Sequence, residues 1–251
     1  MTAPLLAVKG LTKRYGSLLV TDNVHLEVMP GEAHALIGPN GAGKTTLIHQ
    51  LAGTLHPDAG TIALGGEDIT ALPMDVRVRK GLARSFQITS ILPGYTVLEN
   101  VALAVQARSG SSFRFFRPVA QEKPLNEAAI AALSRVGLEH RAGARAGLLS
   151  HGEKRLLEIA IAIATAPKIL LLDEPLAGLG KEESQAAIAL LARLKSELTM
   201  VLVEHDMDAV FALATRVSVL VYGRIIATGT PAEIKANAQV RAAYLGTEEG
   251  V

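Results

Sequence analysis

The sequence contains no cysteine and no tryptophan, and its aromatic residues are limited to five phenylalanines and four tyrosines. Without cysteine there can be no disulfide and no thiolate-bound metal, a composition compatible with a reducing compartment. Net charge is nearly absent: 25 Lys and Arg stand against 24 Asp and Glu, a formal +1. A chain whose main partner was a nucleic-acid backbone would carry a basic excess, so no nucleic acid is expected as partner. Long apolar runs are missing too. Ile169–Leu172 and Ala186–Ala192 fall far short of the roughly 18–20 residues that cross a bilayer. The N-terminal MTAPLLAVKGLTKRYG has no basic start followed by a long apolar run, and no signal peptide is read there. The expectation is a chain that is soluble by itself and can dock onto a membrane partner.

What is present is apolar weight of a particular kind. The composition is 49% hydrophobic but only 4% aromatic, so the weight lies in Ala, Leu, Val and Ile, which suits parallel strands buried beneath helices. A chain of 251 residues can bury a core as one large domain or two small lobes. Val24–Val28 alternates as a strand, Pro30–Gly31 turns the chain, and Ala33–Ile37 is a short apolar strand. A glycine-rich loop follows, then an apolar-periodic helix from about Lys44 to Ala52; Thr61–Leu64 and Leu82–Phe86 add further strand. Over about 88–166 the character changes. Val97–Ala107, Asn126–Val136 and Glu153–Ala164 carry helical spacing with no convincing strand among them, which predicts an inserted helical lobe. Inside it, Gly110–Pro118 (GSSFRFFRP) reads as a surface turn, with contact to nucleic acid or lipid head groups as the alternative. Strands at Ile169–Leu172, Met200–Val203, Val217–Val221 and Arg224–Ala227 then alternate with helices at Glu182–Leu194 and Met207–Ala214, before short C-terminal helices. Strands alternating with helices predict an α/β fold with a largely parallel sheet.

Three motifs carry chemistry. Residues Gly38–Thr46, GPNGAGKTT, fit G-x-x-x-x-G-K-[ST] between a strand and a helix. Glycines let successive N–H groups converge on phosphate oxygens, and the helix that follows adds the positive end of its dipole. Lys44 would neutralise the β- and γ-phosphates, and the Thr45 hydroxyl would ligate Mg²⁺. Chance alone gives on the order of 0.01 matches in a chain of this size. ILLLDEP, Ile169–Pro175, ends a buried strand in two carboxylates; Asp173 suits the Mg²⁺ shell and Glu174 a general base. LSHGE, Leu149–Glu153, allows two readings. Ser150 and Glu153 make a capping box, and the helix N-terminus beside Gly152 is also an anion site.

In this order and spacing the motifs resemble those of the ATP-binding subunit of an ABC transporter, over essentially the whole chain. GPNGAGKTT matches that family's phosphate loop, Gln87 its glutamine between the lobes, LSHGE its signature, ILLLDEP its Walker B strand, His205 in VEHD its switch histidine, and Tyr15 in KRYG the aromatic that stacks on adenine. The resemblance implies a P-loop NTPase built as one ATP-binding domain over 1–251. A RecA-like core with an antiparallel β subdomain would take 1–87 and 167–251, and a helical lobe with the signature 88–166. It implies ATP held by Tyr15, Gly38, Pro39, Asn40, Gly41, Ala42, Gly43, Lys44, Thr45 and Thr46, and by Ser150 and Gly152 of a second subunit packed head to tail. Mg²⁺ would be held by Thr45, Gln87 and Asp173, and Glu174, His205 and Gln87 would form the catalytic set. The implied partners are integral-membrane permease subunits, a second ATP-binding subunit (the same chain or a paralogue) and, indirectly, an extracytoplasmic solute-binding protein. The implied location is the cytoplasmic face of the inner or plasma membrane. Two departures stand out: His151 and Glu153 replace the commonest Gly and Gln of the signature, and Gly180 in LAGLG replaces the usual Asp.

SFQITSILPGYTVLENV, GSSFRFFRP, LAGLG, VEHDMDAV and RAAYLG together resemble the ATP-binding subunits of branched-chain amino-acid importers. Importers of urea or short amides and lipid-exporting systems use similar subunits. A soluble ATPase acting on ribosomes or DNA would need two ATPase halves or a long coiled insertion. In a small-molecule kinase the signature helix and His205 would have no task.

Overall fold

The computed structural model describes residues 3–85, 91–108 and 123–243. In chain order its strands are β1 (Leu6–Tyr15), β2 (Leu18–Val28), β3 (Ala33–Ile37), β4 (Ala59–Leu64), β5 (Glu67–Asp68), β6 (Leu82–Arg84), β7 (Ile169–Asp173), β8 (Thr199–Val203), β9 (Arg216–Val221) and β10 (Arg224–Gly229). The helices are α1 (Lys44–Ala52), α2 (Met74–Lys80), α3 (Val97–Arg108), α4 (Lys123–Val136), α5 (His151–Ala164), α6 (Lys181–Leu194), α7 (Met207–Leu213), α8 (Pro231–Ala236) and α9 (Ala238–Ala243).

The short runs AHALI, ILLLD and TMVLV are buried at every position, as strands covered on both faces must be. They form the centre of a six-stranded sheet in the order β10-β9-β3-β8-β7-β6, parallel throughout except for the edge strand β10. Side chains alternate between its faces. Leu170, Leu172, Met200 and Leu202 face the cluster shared with α3, α4, α5 and α6. Leu36, Ile169, Leu171, Val201 and Val203 face α1. The second sheet, in the order β2-β1-β4-β5, is antiparallel and closes over the other side of α1 through Leu6, Val8, Leu26 and Ile62. This is the α/β architecture expected: a largely parallel core sheet beside a smaller antiparallel one. The helices α3, α4 and α5 pack on one another, and their apolar cluster runs without a break into β7 and β8.

Three elements escape the sequence pattern. β1 buries Leu6, Val8 and Leu11, but its alternation breaks at Gly10, where φ is +64° and the pairing register shifts. The helix α2 is seven residues long, too short for a 3.6-residue period to register. Leu82–Phe86, grouped with Thr61–Leu64 as β structure, divides differently: β6 ends at Arg84 and pairs in parallel with β7, whereas β4 belongs to the antiparallel sheet.

Candidate functional site

In a parallel sheet the chain leaves every strand at the same edge, so motifs far apart in sequence meet there. From the order β3-β8-β7-β6, that edge presents Gly38 after β3, His205 after β8, Asp173 and Glu174 at β7, and Arg84 at β6. Gln87 follows β6 but lies outside the described residues, as do Gly110–Pro118.

The phosphate loop is held between two strands by backbone contact. A Cβ on Gly38 would stand 2.0 Å from the Leu220 carbonyl oxygen of β9, and one on Gly43 2.4 Å from that of Val20 in β2. Only glycine fits either place, and Gly43 also has φ +103° at the cap of α1. Lys44 begins α1 and turns back over the loop, donating to the carbonyl oxygens of Gly38 at 2.6 Å and Pro39 at 3.0 Å. Burial pushes its ammonium below the ordinary value, while the carboxylates of Glu174 and Asp173 pull it back up. The loop's cation and the acidic pair thus share one electrostatic site. Pro39 is half-buried, Ala42 buried, Asn40, Gly41 and Thr45 exposed and Thr46 half-buried, so the loop's outer rim is accessible.

Asp173 is fully buried. Its Oδ2 accepts from Arg84 Nη2 at 2.8 Å, while Oδ1 has no hydrogen-bond partner among the described residues. A buried carboxylate oxygen without a donor among the described residues suits a hard cation or its water, and the Thr45 hydroxyl at the start of α1 would supply a second oxygen. The residues present therefore fit Mg²⁺. No group of three or more His, Asp or Glu converges among the described residues, so the rest of the ion's shell would be phosphate oxygens and water. His49 of α1 meets the same corner: Arg84 Nη2 lies 3.4 Å from its Nε2, and its Nδ1 is 2.9 Å from the Thr54 hydroxyl. Burial, then the Arg84 charge, lowers its pKa, against the pull of Asp173. A neutral ring accepting from Arg84 is the consistent form.

Glu174 sits in the left-handed region, φ 47°, and its amide donates to the Val203 carbonyl of β8 at 2.9 Å. The His205 side chain is exposed at the end of β8. Beneath it, Glu204 is buried and accepts from the amides of Leu176 (2.8 Å) and His205 (3.2 Å), joining the turn after β7 to the turn after β8. Burial raises its pKa against those hydrogen bonds. Tyr15 is half-exposed at the end of β1, beside the hairpin whose return strand brings Val20 to Gly43.

Ser150 and Gly152 stand apart from this cluster, at the N-terminus of α5. Both halves of the capping box are made: Glu153 N donates to Ser150 Oγ at 3.1 Å, and Ser150 N to Glu153 Oε2 at 2.8 Å. Ser150 remains exposed, with its hydroxyl proton free to donate outward. The two sequence departures lie side by side. His151 Nε2 is 2.9 Å from where a Cβ on Gly178 would be, and Glu183, which accepts from Gly180 N at 3.1 Å, closes on Gly152. Arg84 and Glu204 escaped the sequence reading. Each is a charged residue at the end of a buried strand, a faint signal that gains meaning only from its neighbour across the sheet.

A family model described as ABC transporter matches residues 21–177, and one described as branched-chain amino acid ATP-binding cassette transporter matches residues 224–250. The high-affinity branched-chain amino acid transport ATP-binding protein LivG of Escherichia coli K12 is 41% identical over 258 residues, covering 98% of this chain and 99% of its own length. BraF of Pseudomonas aeruginosa, of the same description, is 40% identical over 253 residues, with 98% and 99% covered. Among solved structures, the ADP conformation of MJ1267, an ATP-binding cassette of an ABC transporter, superposes with a TM-score of 0.86 at 29% identity, covering 98% of this chain and all of that one. A dimeric post-hydrolysis state of the cassette MJ0796 bound to ADP and Pi gives 0.76 at 25% identity, covering 90% and 98%.

Proposed function

This chain belongs to the ABC transporter family of ATP-binding cassettes, and from that premise we propose that it hydrolyses ATP to power an importer of branched-chain amino acids. The observation that carries the catalytic part is the meeting of Lys44, Asp173, Glu174 and His205 along one edge of the sheet. The cargo rests on similarity to LivG and BraF and on the match at 224–250.

Tyr15 would stack on adenine. The amides of Gly38–Thr46 and the Lys44 ammonium would hold the phosphates, with Lys44 exchanging its two loop carbonyls for phosphate oxygens. Thr45, Asp173 and Gln87 would hold Mg²⁺, which supplies charge neutralisation on the β- and γ-phosphates. Glu174 takes a proton from water as its oxygen attacks the γ-phosphorus and the bond to the β-phosphate oxygen breaks, releasing ADP and phosphate. His205 and Gln87 would orient that water and the γ-phosphate.

Ser150 and Gly152 would meet the γ-phosphate of a second subunit, so ATP lies between two subunits. Closure on ATP and reopening after hydrolysis would drive the permease between two orientations. The lobe over 88–166 would grip the permease and the remainder form the catalytic core. A solute-binding protein delivers cargo on the far side. No helix among the described residues is long and apolar enough to cross a membrane; a peripheral place on the cytoplasmic face rests on the likeness to transport ATP-binding proteins.

The test is reconstitution with the permease subunits, the solute-binding protein and a second ATP-binding subunit. Leucine, isoleucine or valine should stimulate ATPase activity. Stimulation by urea or a short amide instead would reassign the cargo while leaving the ATPase intact.

A further inference from the structure

The backbone of the acidic turn is held by a side chain from another element. Arg155, in the second turn of α5, donates from Nη2 to the carbonyl oxygens of both Asp173 (2.9 Å) and Glu174, and from Nε to that of Pro175 at 3.0 Å. Its remaining nitrogen, Nη1, meets Glu158 Oε2 at 2.8 Å, and the two side chains are 11% and 9% exposed. One planar guanidinium thus serves three consecutive peptide carbonyls, a task its fixed fork of donors suits and a lysine ammonium does not.

Helix docking does not require this arrangement. α5 already buries Leu157, Ile159, Ala160 and Ile163, and withdrawing two charges from water is unfavourable unless their bonds do something apolar packing cannot. What they do is local. Arg155 on the Asp173 carbonyl and Val203 on the Glu174 amide fix the peptide plane before Glu174. Arg155 on the Glu174 carbonyl fixes the plane after it. Two fixed planes set the direction of the Cα–Cβ bond, at a residue whose φ of 47° is unfavourable without external restraint.

We propose that Arg155 is a positioning residue for the general base: it sets the direction of the Glu174 carboxylate and makes that direction depend on how α5 is seated. The same helix carries Ser150 at its N-cap and Gly152 in its first turn, so the groups proposed to meet a partner's nucleotide and the guanidinium that holds the turn of the base belong to one helix. The inference rests on Glu174 being the base.

The experiment compares the full-length chain with Arg155→Ala, Arg155→Lys, Glu158→Gln and Glu174→Gln, measuring kcat, KM for MgATP, ATP affinity and thermal midpoint. Arg155→Ala should lower kcat about tenfold or more while KM and ATP affinity stay within about twofold, the pattern of a displaced catalytic group rather than a lost binding site. Arg155→Lys should fall between it and the wild type, and Glu158→Gln should shift kcat in the same direction by less. A folded Arg155→Ala chain with kcat within about twofold of wild type overturns the proposal. If Arg155→Ala fails to fold, Arg155→Lys decides: reduced kcat at unchanged KM supports the role, and unchanged kcat overturns it. If Glu174→Gln keeps its turnover, the base assignment itself has failed, a result distinct from failure of Arg155 alone.

Discussion

At the scale of single residues, the site is defined by what each polar group lacks or shares. Asp173 leaves Oδ1 without a donor among the described residues, and Lys44 spends its ammonium on loop carbonyls that phosphate oxygens can replace. Glu174 is the group for which proton transfer is expected. Glu174→Gln should keep ATP binding and lower turnover by about 10²–10⁴-fold in a phosphate-release assay; retention of most of the activity would remove it from the role. His49 supplies a pH prediction. Its pKa is depressed below 6.5, so as pH falls the unfolded chain takes up the proton first, and stability is lost below about pH 6.5. Thermal midpoints from pH 7.5 to 5 should therefore decline more steeply for the wild type than for His49→Gln, and parallel slopes would show that another group dominates. The phosphate loop and the DEP turn were legible in sequence because their residue types and spacing are chemically restrictive. Arg84, Arg155 and Glu204 were not, because what matters about them is which atoms of another element they reach.

At the scale of elements, the legible ones obey a single period. The buried runs β3, β7 and β8 and the long helices α4, α5 and α6 were readable within a few residues, whereas β1 and α2 are broken or short. The short helix nevertheless does much to hold α1. Arg77 is fully buried and donates to the carbonyl oxygens of Gln50 and Leu51 at the end of α1 (2.7 Å each), and of Thr70 and Leu72 (2.8 Å each). Burial pushes its pKa down to about 10, the mark of a cation held by neutral acceptors with distant help from Asp68. Arg77→Ala removes a donor from four carbonyls, two of them in buried bonds, and should destabilise the chain by roughly 3–4 kcal/mol in denaturant titration. Since α1 carries Lys44 and Thr45, ATP affinity should fall with stability; a loss under about 1 kcal/mol would show that water replaces the guanidinium.

At the scale of the whole molecule, the proposed ATP site draws on two separate elements. The phosphate loop, Asp173, Glu174 and His205 share the strand edge, while Ser150 lies exposed at the tip of α5. If Ser150 acts on a partner's nucleotide, Ser150→Arg should leave ATP binding by the isolated chain within about twofold of wild type and abolish assembly and turnover. Size-exclusion chromatography of the Glu174→Gln chain with MgATP, with and without Ser150→Arg, reads this directly: an ATP-dependent dimer should form only with Ser150 intact. A loss of monomer affinity would instead place Ser150 at its own subunit's nucleotide. Chain patterning does not decide such a pairing, because a capped helix end looks the same whether or not an anion ever reaches it.

The strand β8, between β3 and β7, acts as a spacer. Two ladder steps of about 4.8 Å separate the phosphate loop from the acidic pair by about 10 Å. That gap is set by amide hydrogen bonds and not by any side chain, so drift among Val, Leu, Ile and Met within TMVLV leaves it unchanged. The clearance available to a terminal phosphate and its attacking water is thereby insulated from ordinary mutation. Inserting or deleting one residue in β8 would instead turn Glu204 and His205 each to the opposite face and break the spacing.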